Sequence, residues 1–256
     1  MTFSRLRSYL FSDRAAAVAA VFAAAVTLLL PATAAAFQLV PITQEFEPAG
    51  RNANKTFRLE NPDAREATVS IKVMTREMDI DGREKSEESD DFIVFPTEAI
   101  VPPGGVQIVR VQYVGPTSVK EEVPYRIIAE GTPVNSVPGQ ASQILIAVRY
   151  AGTLYVAPPG TKPDITLESA GPAQSGGPNQ LEVVLRNSGT GHGIVVDPVL
   201  TLVKAGGRHE ISGDALKAIA GENVLAGARR RFLLPWPAGV PYGPLDSSNF
   251  KAEIER

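Results

Sequence analysis

The chain has 256 residues with a formal net charge of −3, and 44% of its residues are hydrophobic. The acidic balance argues against a nucleic-acid partner, because binding to phosphate backbones requires a net basic surface. The chain has no cysteine, which excludes disulfide bonds, thiol catalysis and thiolate metal sites.

Residues 1–36 have the pattern of a secretory signal peptide. Three arginines precede an uncharged apolar run at 15–30, and the small residues at 31–36 offer a cleavage site before Phe37. A membrane anchor is the alternative, but this run is shorter than the roughly 20 residues that span a bilayer, so we predict no membrane span after cleavage. The remaining 220 residues carry 22 basic and 27 acidic side chains and are long enough for two β-sandwiches.

From Phe37 onward, short runs of alternating apolar residues are separated by turn residues, which is typical of an all-β sandwich. Asp81-Gly82 predicts a hairpin turn between the third and fourth strands of the first half. We predict seven strands in this half, at residues 37–42, 56–60, 69–74, 92–96, 106–113, 125–130 and 143–158.

Residues 158–163 are rich in proline and glycine and predict a stiff linker between two domains, at 37–157 and 158–256. The second domain is expected to be a smaller β-sandwich with one short helical turn at 214–220. Its predicted strands lie at residues 181–185, 194–196, 199–203 and 231–234.

The strand at 143–158 is apolar on both of its alternating faces, so both faces must be covered. Ile144, Ile146 and Val148 lie on one face, and Leu145 and Ala147 on the other. Alternation alone leaves two interpretations open. One face contacts a partner, or all of these residues pack in the protein's own core.

The order of these segments resembles that of the periplasmic pilus chaperones of the chaperone–usher pathway, the PapD-like family. The segment at 43–50 ends in Pro-Ala-Gly, and the block at 92–111 carries similar Phe-Ile-Val, Pro-Gly and Val-Arg-Val motifs. Residues 185–192 are similar to an asparagine-centred turn of the family, and residues 222–232 to its late arginine-containing region. The resemblance implies two immunoglobulin-like domains in an L-shaped arrangement, in the periplasm, with no cofactor and no enzymatic activity.

The function that this resemblance implies is that of a chaperone, which binds pilus or fimbrial subunits and delivers them to an outer-membrane usher. Each subunit lacks the last strand of its immunoglobulin-like fold, and a chaperone strand fills the open groove. When the chain is aligned with the family, the resemblance implies that the inserted side chains are Ile144, Ile146 and Val148. Each contributes roughly 1.5–3 kcal/mol of apolar transfer before the costs of association. The same strand offers an edge for self-association.

The family also has a basic pair between its domains that binds the C-terminal carboxylate of the subunit. The corresponding residues here are Gln44 and Thr153, which can donate hydrogen bonds but carry no charge. Arg149 is a candidate substitute, since it shares a strand face with Thr153 at about 13 Å; the alternative is a solvated strand residue. Because this pair is uncharged, a second functional class stays open. It is a structural or ligand-binding envelope β-sandwich without chaperone activity.

Several other segments are candidates for ion binding, catalysis or docking. The acidic stretch at 79–91 lacks the third ligand and the helices of a calcium loop, so a solvated hairpin is expected. Two histidines cannot form a three-histidine zinc site, and His192 near Asp197 lacks a nucleophile-elbow motif, so we predict no metal site and no catalysis. The arginines at 229–231 predict a hydrated strand edge, or a docking patch for an acidic partner. Ala157 replaces an arginine of the family, which leaves the interdomain partner of Glu122 open.

Overall fold

The computed structural model describes residues 37–132, 147–173 and 179–256. The predicted signal peptide, Ile144 and Ile146 lie outside these ranges. The described residues form two β-sandwiches, each with its own apolar core. None of the helical segments in these ranges is long and apolar enough to cross a membrane.

The first sandwich packs a four-stranded sheet against a five-stranded sheet. Its strands, with a small hairpin formed by β5 and β6, are β1 (Gln38–Val40), β2 (Thr43–Phe46), β3 (Asn54–Glu60), β4 (Ala67–Thr75), β5 (Glu77–Met78), β6 (Glu84–Lys85), β7 (Phe92–Phe95), β8 (Glu98–Val101), β9 (Val106–Tyr113), β10 (Val123–Gly131) and β11 (Arg149–Val156). The sheet orders are β1-β3-β9-β7 and β2-β11-β10-β4-β8. All neighbours are antiparallel except β2 and β11, which are parallel.

Strand alternation explains how this core forms. In β9 the residues Val109, Val111 and Tyr113 are buried, while the residues between them are exposed. The fully buried Phe57 and Leu59 of β3 meet them from the neighbouring strand. The seven predicted strands are all present where they are described, but the first divides at Pro41 into β1 and β2, which join different sheets.

The second sandwich contains β12 (Ile165–Pro172), β13 (Gln180–Asn187), β14 (Gly193–Lys204), β15 (Gly207–Ser212), β16 (Asn223–Val224), β17 (Arg229–Pro235) and β18 (Ser247–Glu255). One sheet has the order β12-β13-β17, and in the other β14 pairs with β15, β16 and β18. The two strands predicted at 194–196 and 199–203 are one strand, β14, with an irregularity between Val196 and Val199. The expected helical turn is a short 3-10 helix at Gly213–Leu216.

Asn187 organises the turn that follows β13. Its side chain is fully buried, and Nδ2 donates hydrogen bonds to the carbonyl oxygens of Gly191, Val224 and Leu225. Its Oδ1 accepts a hydrogen bond from the backbone of Asp164. The buried amide therefore ties the turn to two other segments, which fixes the position of His192 at the face of the first sandwich.

Candidate functional site

The edge of β11 is partly open. On one side β11 pairs with β10 along its whole length, from Arg149 to Val156. On the other side β2 pairs with the last four residues alone, from Thr153 to Val156. Within the described residues, the edge at 149–151 therefore lacks a neighbouring strand. Such an edge presents backbone groups that a further strand can pair with.

Val148 lies directly before this open edge. The side chains of Val148 and Tyr150 are half-buried against the core of the first sandwich, whereas Ala147 and Arg149 are exposed. Tyr150 packs edge-on against Phe37 at a centroid distance of 5.3 Å. The face of Val148 is thus the inward face of β11, and Val148 lies at the margin of the core rather than in its centre.

Thr153 and Gln44 lie near each other on paired strands. Thr153 is opposite Thr43 in the parallel pair, and Gln44 is the next residue of β2. The Thr153 side chain is nearly buried, and its Oγ1 accepts a hydrogen bond of 2.5 Å from Nη1 of Arg126. Arg126 is directly opposite Thr153 on β10, so the cation nearest to this position comes from the neighbouring strand.

Arg126 belongs to a cluster with Arg76 and Glu84. Arg126 contacts Glu84 through Nε (3.0 Å) and Nη2 (2.5 Å), and Arg76 contacts the same carboxylate through Nε (2.8 Å) and Nη2 (2.7 Å). The Arg76 side chain is 5% exposed, and its Nη1 is 3.4 Å from the hydroxyl of Tyr155. Burial raises the pKa of Glu84, but the bonds and charges of both arginines outweigh it and hold that pKa below its ordinary value.

We call these three side chains the arginine cluster. No pattern in the sequence reveals it, because its members come from three separate segments, and only the register of β10 against β11 brings Arg126 to Thr153. Arg149 is exposed at the start of β11 and lies opposite Glu130. Its role as a substitute anchor remains a prediction.

The acidic hairpin is present and its charged residues are exposed, but its tip also contacts the second sandwich. The backbone N–H of Arg231 donates to the carbonyl oxygen of Ile80 at 2.7 Å, and the Arg231 side chain binds Asp81 through Nε (2.7 Å) and Nη2 (2.9 Å). Arg230 is nearly buried and pairs with Glu222 at 2.6 Å. The prediction of a hydrated edge therefore holds for the exposed Arg229 and is wrong for Arg230 and Arg231, which the β5–β6 hairpin contacts.

Glu122 has two partners in the second sandwich. Its carboxylate contacts Nδ1 of His192 at 2.6 Å and Nη2 of Arg256 at 3.0 Å. The His192 ring stacks on Tyr155 of β11 at 3.8 Å with an interplanar angle of 6°. Glu122, His192 and Arg256 thus join the two sandwiches, although Ala157 stands where the family has an arginine. The role of His192 in this contact is structural. Among the described side chains, no group of three or more metal ligands is arranged to hold an ion.

A separate apolar surface lies on the outer face of the four-stranded sheet. Phe95 and Ile93 of β7 are 73% and 55% exposed, and Val106 and Ile108 of β9 are also exposed. Alternate residues of the same strands are buried, so this face points away from the sandwich core. β11 is in the other sheet, and this surface is therefore distinct from the open strand edge.

The first sandwich is similar to a known protein domain. The family model "Pili and flagellar-assembly chaperone, PapD N-terminal domain" matches residues 46–162. No curated protein sequence is significantly similar to the chain.

Three solved structures show the similarity of fold. A chain of the CsuC–CsuE chaperone–tip adhesion subunit complex of Acinetobacter baumannii is 20% identical, with a TM-score of 0.53, over 77% of this chain and 90% of its own. The class 5 fimbriae chaperone CfaA is 13% identical, with a TM-score of 0.53, over 86% and 100%. The E. coli chaperone DraB is 16% identical, with a TM-score of 0.52, over 85% and 96%.

The family match covers the first sandwich, and the similarity of fold extends over both. The expected fold class, two immunoglobulin-like β-sandwiches, is confirmed. Residues 46–162 therefore belong to a PapD-type N-terminal chaperone domain, and the two sandwiches together have the fold of the solved pilus and fimbrial chaperones.

Proposed function

We propose that this protein is a non-enzymatic periplasmic chaperone that binds a pilus or fimbrial subunit by strand addition. The observation that carries the proposal is the open edge of β11 at 149–151, which directly follows the apolar segment of Ile144, Ile146 and Val148. A subunit that lacks its last strand presents two free strand edges and an open core. A strand that leaves the rim of one sandwich can enter that groove and pair with it.

The alternation of β11 supports the assignment of the inserted side chains. Val148 lies on the inward face of the strand, and Ile144 and Ile146 have the same parity. If the strand continues past the rim of the sandwich with the same alternation, these two side chains point into the core of a bound subunit. The core of the chaperone and the core of the subunit then form one continuous apolar layer.

We further propose that Arg126 binds the C-terminal carboxylate of the subunit. Arg126 is the cation bonded to Thr153, which corresponds to one of the family's basic anchor positions. Its side chain is 20% exposed, so the guanidinium is accessible and only partly desolvated. Charge-assisted bonds to such a group are roughly twice as strong as the neutral bonds that Thr153 and Gln44 can donate.

Delivery to an outer-membrane usher requires a second surface that stays free while a subunit is bound. The exposed Phe95, Ile93 and Ile108 provide such a surface, because they lie on the sheet that does not contain β11. Exposed apolar side chains in one patch are typical of protein interfaces. We propose this patch as the contact for the usher.

The proposed function is tested by purifying the tagged mature protein from the periplasm of its own host and identifying the proteins that co-purify. We expect stoichiometric recovery of a small protein that lacks one strand of an immunoglobulin-like fold. Ile146→Asp should abolish this recovery while the protein remains folded, because a charge cannot enter the apolar groove without a large desolvation cost. Ala147→Asp is the matched control, since residue 147 has the opposite parity and is exposed.

Two outcomes would overturn the proposal. Recovery of the protein alone would favour a structural or self-associating envelope module, and sedimentation analysis would then show whether the strand edge pairs with a second copy. Unfolding by Ile146→Asp would show that Ile146 belongs to the protein's own core rather than to a surface for a subunit.

A further inference from the structure

The β5–β6 hairpin places a carboxylate of the protein itself on the proposed anchor. Glu84 of β6 binds both arginines of the arginine cluster, and Arg126 is the residue to which we assign the subunit's carboxylate. We propose that Glu84 is an internal competitor, which occupies the carboxylate site in the free protein and is displaced when a subunit binds. This inference rests on the proposed function.

The bonding pattern of Glu84 is the one that a C-terminal carboxylate would use. Its two oxygens accept from Nε and Nη2 of Arg126, a paired geometry that a planar guanidinium offers to any carboxylate. Nη1 of the same arginine is bonded to Thr153. The side-on pair of donors of Arg126, Nε and Nη2, is therefore already bonded to Glu84.

The charges of the cluster explain why a carboxylate is needed at this site at all times. Arg76 and Arg126 bring two positive charges, and Glu84 brings one negative charge. Arg76 is almost fully buried, and a buried guanidinium without a counter-charge is strongly unfavourable. Removal of Glu84 from the cluster is thus costly unless another carboxylate replaces it, which couples displacement to binding of the subunit.

The hairpin is held both at its base and at its tip. At the base, the backbone N–H of Thr75 donates to the carbonyl oxygen of Glu87, and that of Ser89 donates to Val73. β5 and β6 pair through two residues each, and a ladder this short has little stability of its own. The tip is bound to the second sandwich, where Asp81 pairs with Arg231 and Ile80 accepts a backbone hydrogen bond. A Cβ atom on Gly82 would lie 2.4 Å from Nη2 of Arg230, so the tip also packs closely. The position of Glu84 therefore depends in part on the contact between the two sandwiches.

The test is a titration of the full mature protein with sodium acetate at constant ionic strength. Binding is followed by NMR through the side-chain Nε–Hε signals of Arg76 and Arg126, in the original protein and in Glu84→Gln. If Glu84 occupies the site most of the time, its removal should lower the apparent Kd for acetate by about tenfold or more. Glu87→Gln is the matched control, because Glu87 is an exposed carboxylate whose ion pair is with Lys85 rather than with the cluster.

The outcomes distinguish the proposal that Glu84 is an internal competitor from the proposal that Arg126 is the anchor. A tenfold gain in Glu84→Gln with no gain in Glu87→Gln supports the internal competitor. Equal saturable binding to all three proteins contradicts it and leaves Arg126 as the anchor. Absence of binding to all three contradicts both the competitor and the anchor.

A second variant covers the case in which Glu84→Gln does not fold. Asp81→Asn keeps Glu84 and removes the paired ion bond of the hairpin tip to Arg231. We expect this variant to bind acetate more tightly than the original protein but less tightly than a folded variant without Glu84. An unchanged Kd in Asp81→Asn would contradict the dependence of Glu84 on the hairpin tip.

Discussion

At the scale of single residues, the decisive feature is which cation lies beside Thr153. Arg149 is on the same strand and the same face, but it is at the other end of β11 and exposed. Arg126 is on the adjacent strand and bonds directly to the Thr153 hydroxyl. Separation across a sheet is about 5 Å, whereas four residues along a strand cover about 13 Å, and the cross-strand residue is therefore nearer.

Substitution of Arg126 tests this assignment. We expect Arg126→Gln to weaken capture of the subunit by about tenfold or more, because a charge-assisted bond to the carboxylate contributes roughly 1.5–3 kcal/mol. The measurement is the apparent Kd for the co-purified subunit. Arg149→Gln is the comparison, because it removes one positive charge from β11 instead of from β10. A larger loss in Arg149→Gln than in Arg126→Gln would restore Arg149 as the anchor.

At the scale of elements, the close approach of β2 to β11 limits the open edge. Gly152 makes this approach feasible, since a Cβ atom there would lie 2.8 Å from the carbonyl oxygen of Ile42 and 2.8 Å from Cγ2 of Ile127. Thr153 then donates its backbone N–H to Ile42 at 2.8 Å, and the parallel pair with β2 begins. The edge is therefore covered from Thr153 onward, and among the described strands it has no neighbour at 149–151.

Gly152→Ala should separate β2 from β11. The added methyl group would meet the backbone of Ile42 and the packed side chain of Ile127. We therefore expect a loss of about 1–3 kcal/mol in the free energy of unfolding. Hydrogen exchange of the backbone amides of Thr43–Phe46 should become faster. Gly171→Ala in β12 is the control, because nothing lies within 4 Å of its added Cβ atom. Equal protection of β2 in both variants would show that the sheet accommodates the methyl group.

At the scale of the whole molecule, Glu122 connects the two sandwiches. Its side chain is 1% exposed and contacts His192 and Arg256 of the second sandwich. Burial raises the pKa of Glu122, but the hydrogen bonds and charge of His192, together with the bond from Arg256, outweigh burial and lower that pKa below its ordinary value of 4.5. The ionised carboxylate is therefore the form that stabilises the joint.

The lowered pKa gives the stability a defined pH dependence. The contribution of Glu122 should be fully present above about pH 4.5 and should be lost as the pH falls through the lower pKa of the folded state. We expect Glu122→Gln to be about 2 kcal/mol less stable than the original protein at pH 7, with a difference that shrinks in acid. Urea unfolding between pH 3 and 7, followed by the fluorescence of Trp236, the single tryptophan, measures this difference.

The exposed neighbour Glu121 provides the control for this titration. Glu121→Gln should follow the original protein at every pH in this range. A constant difference between Glu122→Gln and the original protein from pH 3 to 7 would mean that ionisation of Glu122 does not stabilise the folded state.

Alternation of apolar residues determined the strands that have one buried face, since burial with a period of two is a local property of the chain. It predicted β9 completely and located β3, β4 and β10 to within a few residues. It missed β12, β15 and β18, whose buried or half-buried residues are interspersed with charges or small residues. It also divided β14, because Pro198 and Asp197 interrupt the apolar pattern where the strand is irregular.

The sequence by itself determined the fold class, the resemblance to the pilus chaperones and the apolar segment of Ile144, Ile146 and Val148, because these depend on order and periodicity along the chain. Only the tertiary structure placed Arg126 against Thr153, Glu84 on both arginines and Glu122 against His192. These contacts join residues that are 8 to 70 positions apart. Strand register and the packing of one sandwich on the other create such contacts, and no local pattern in the chain encodes them.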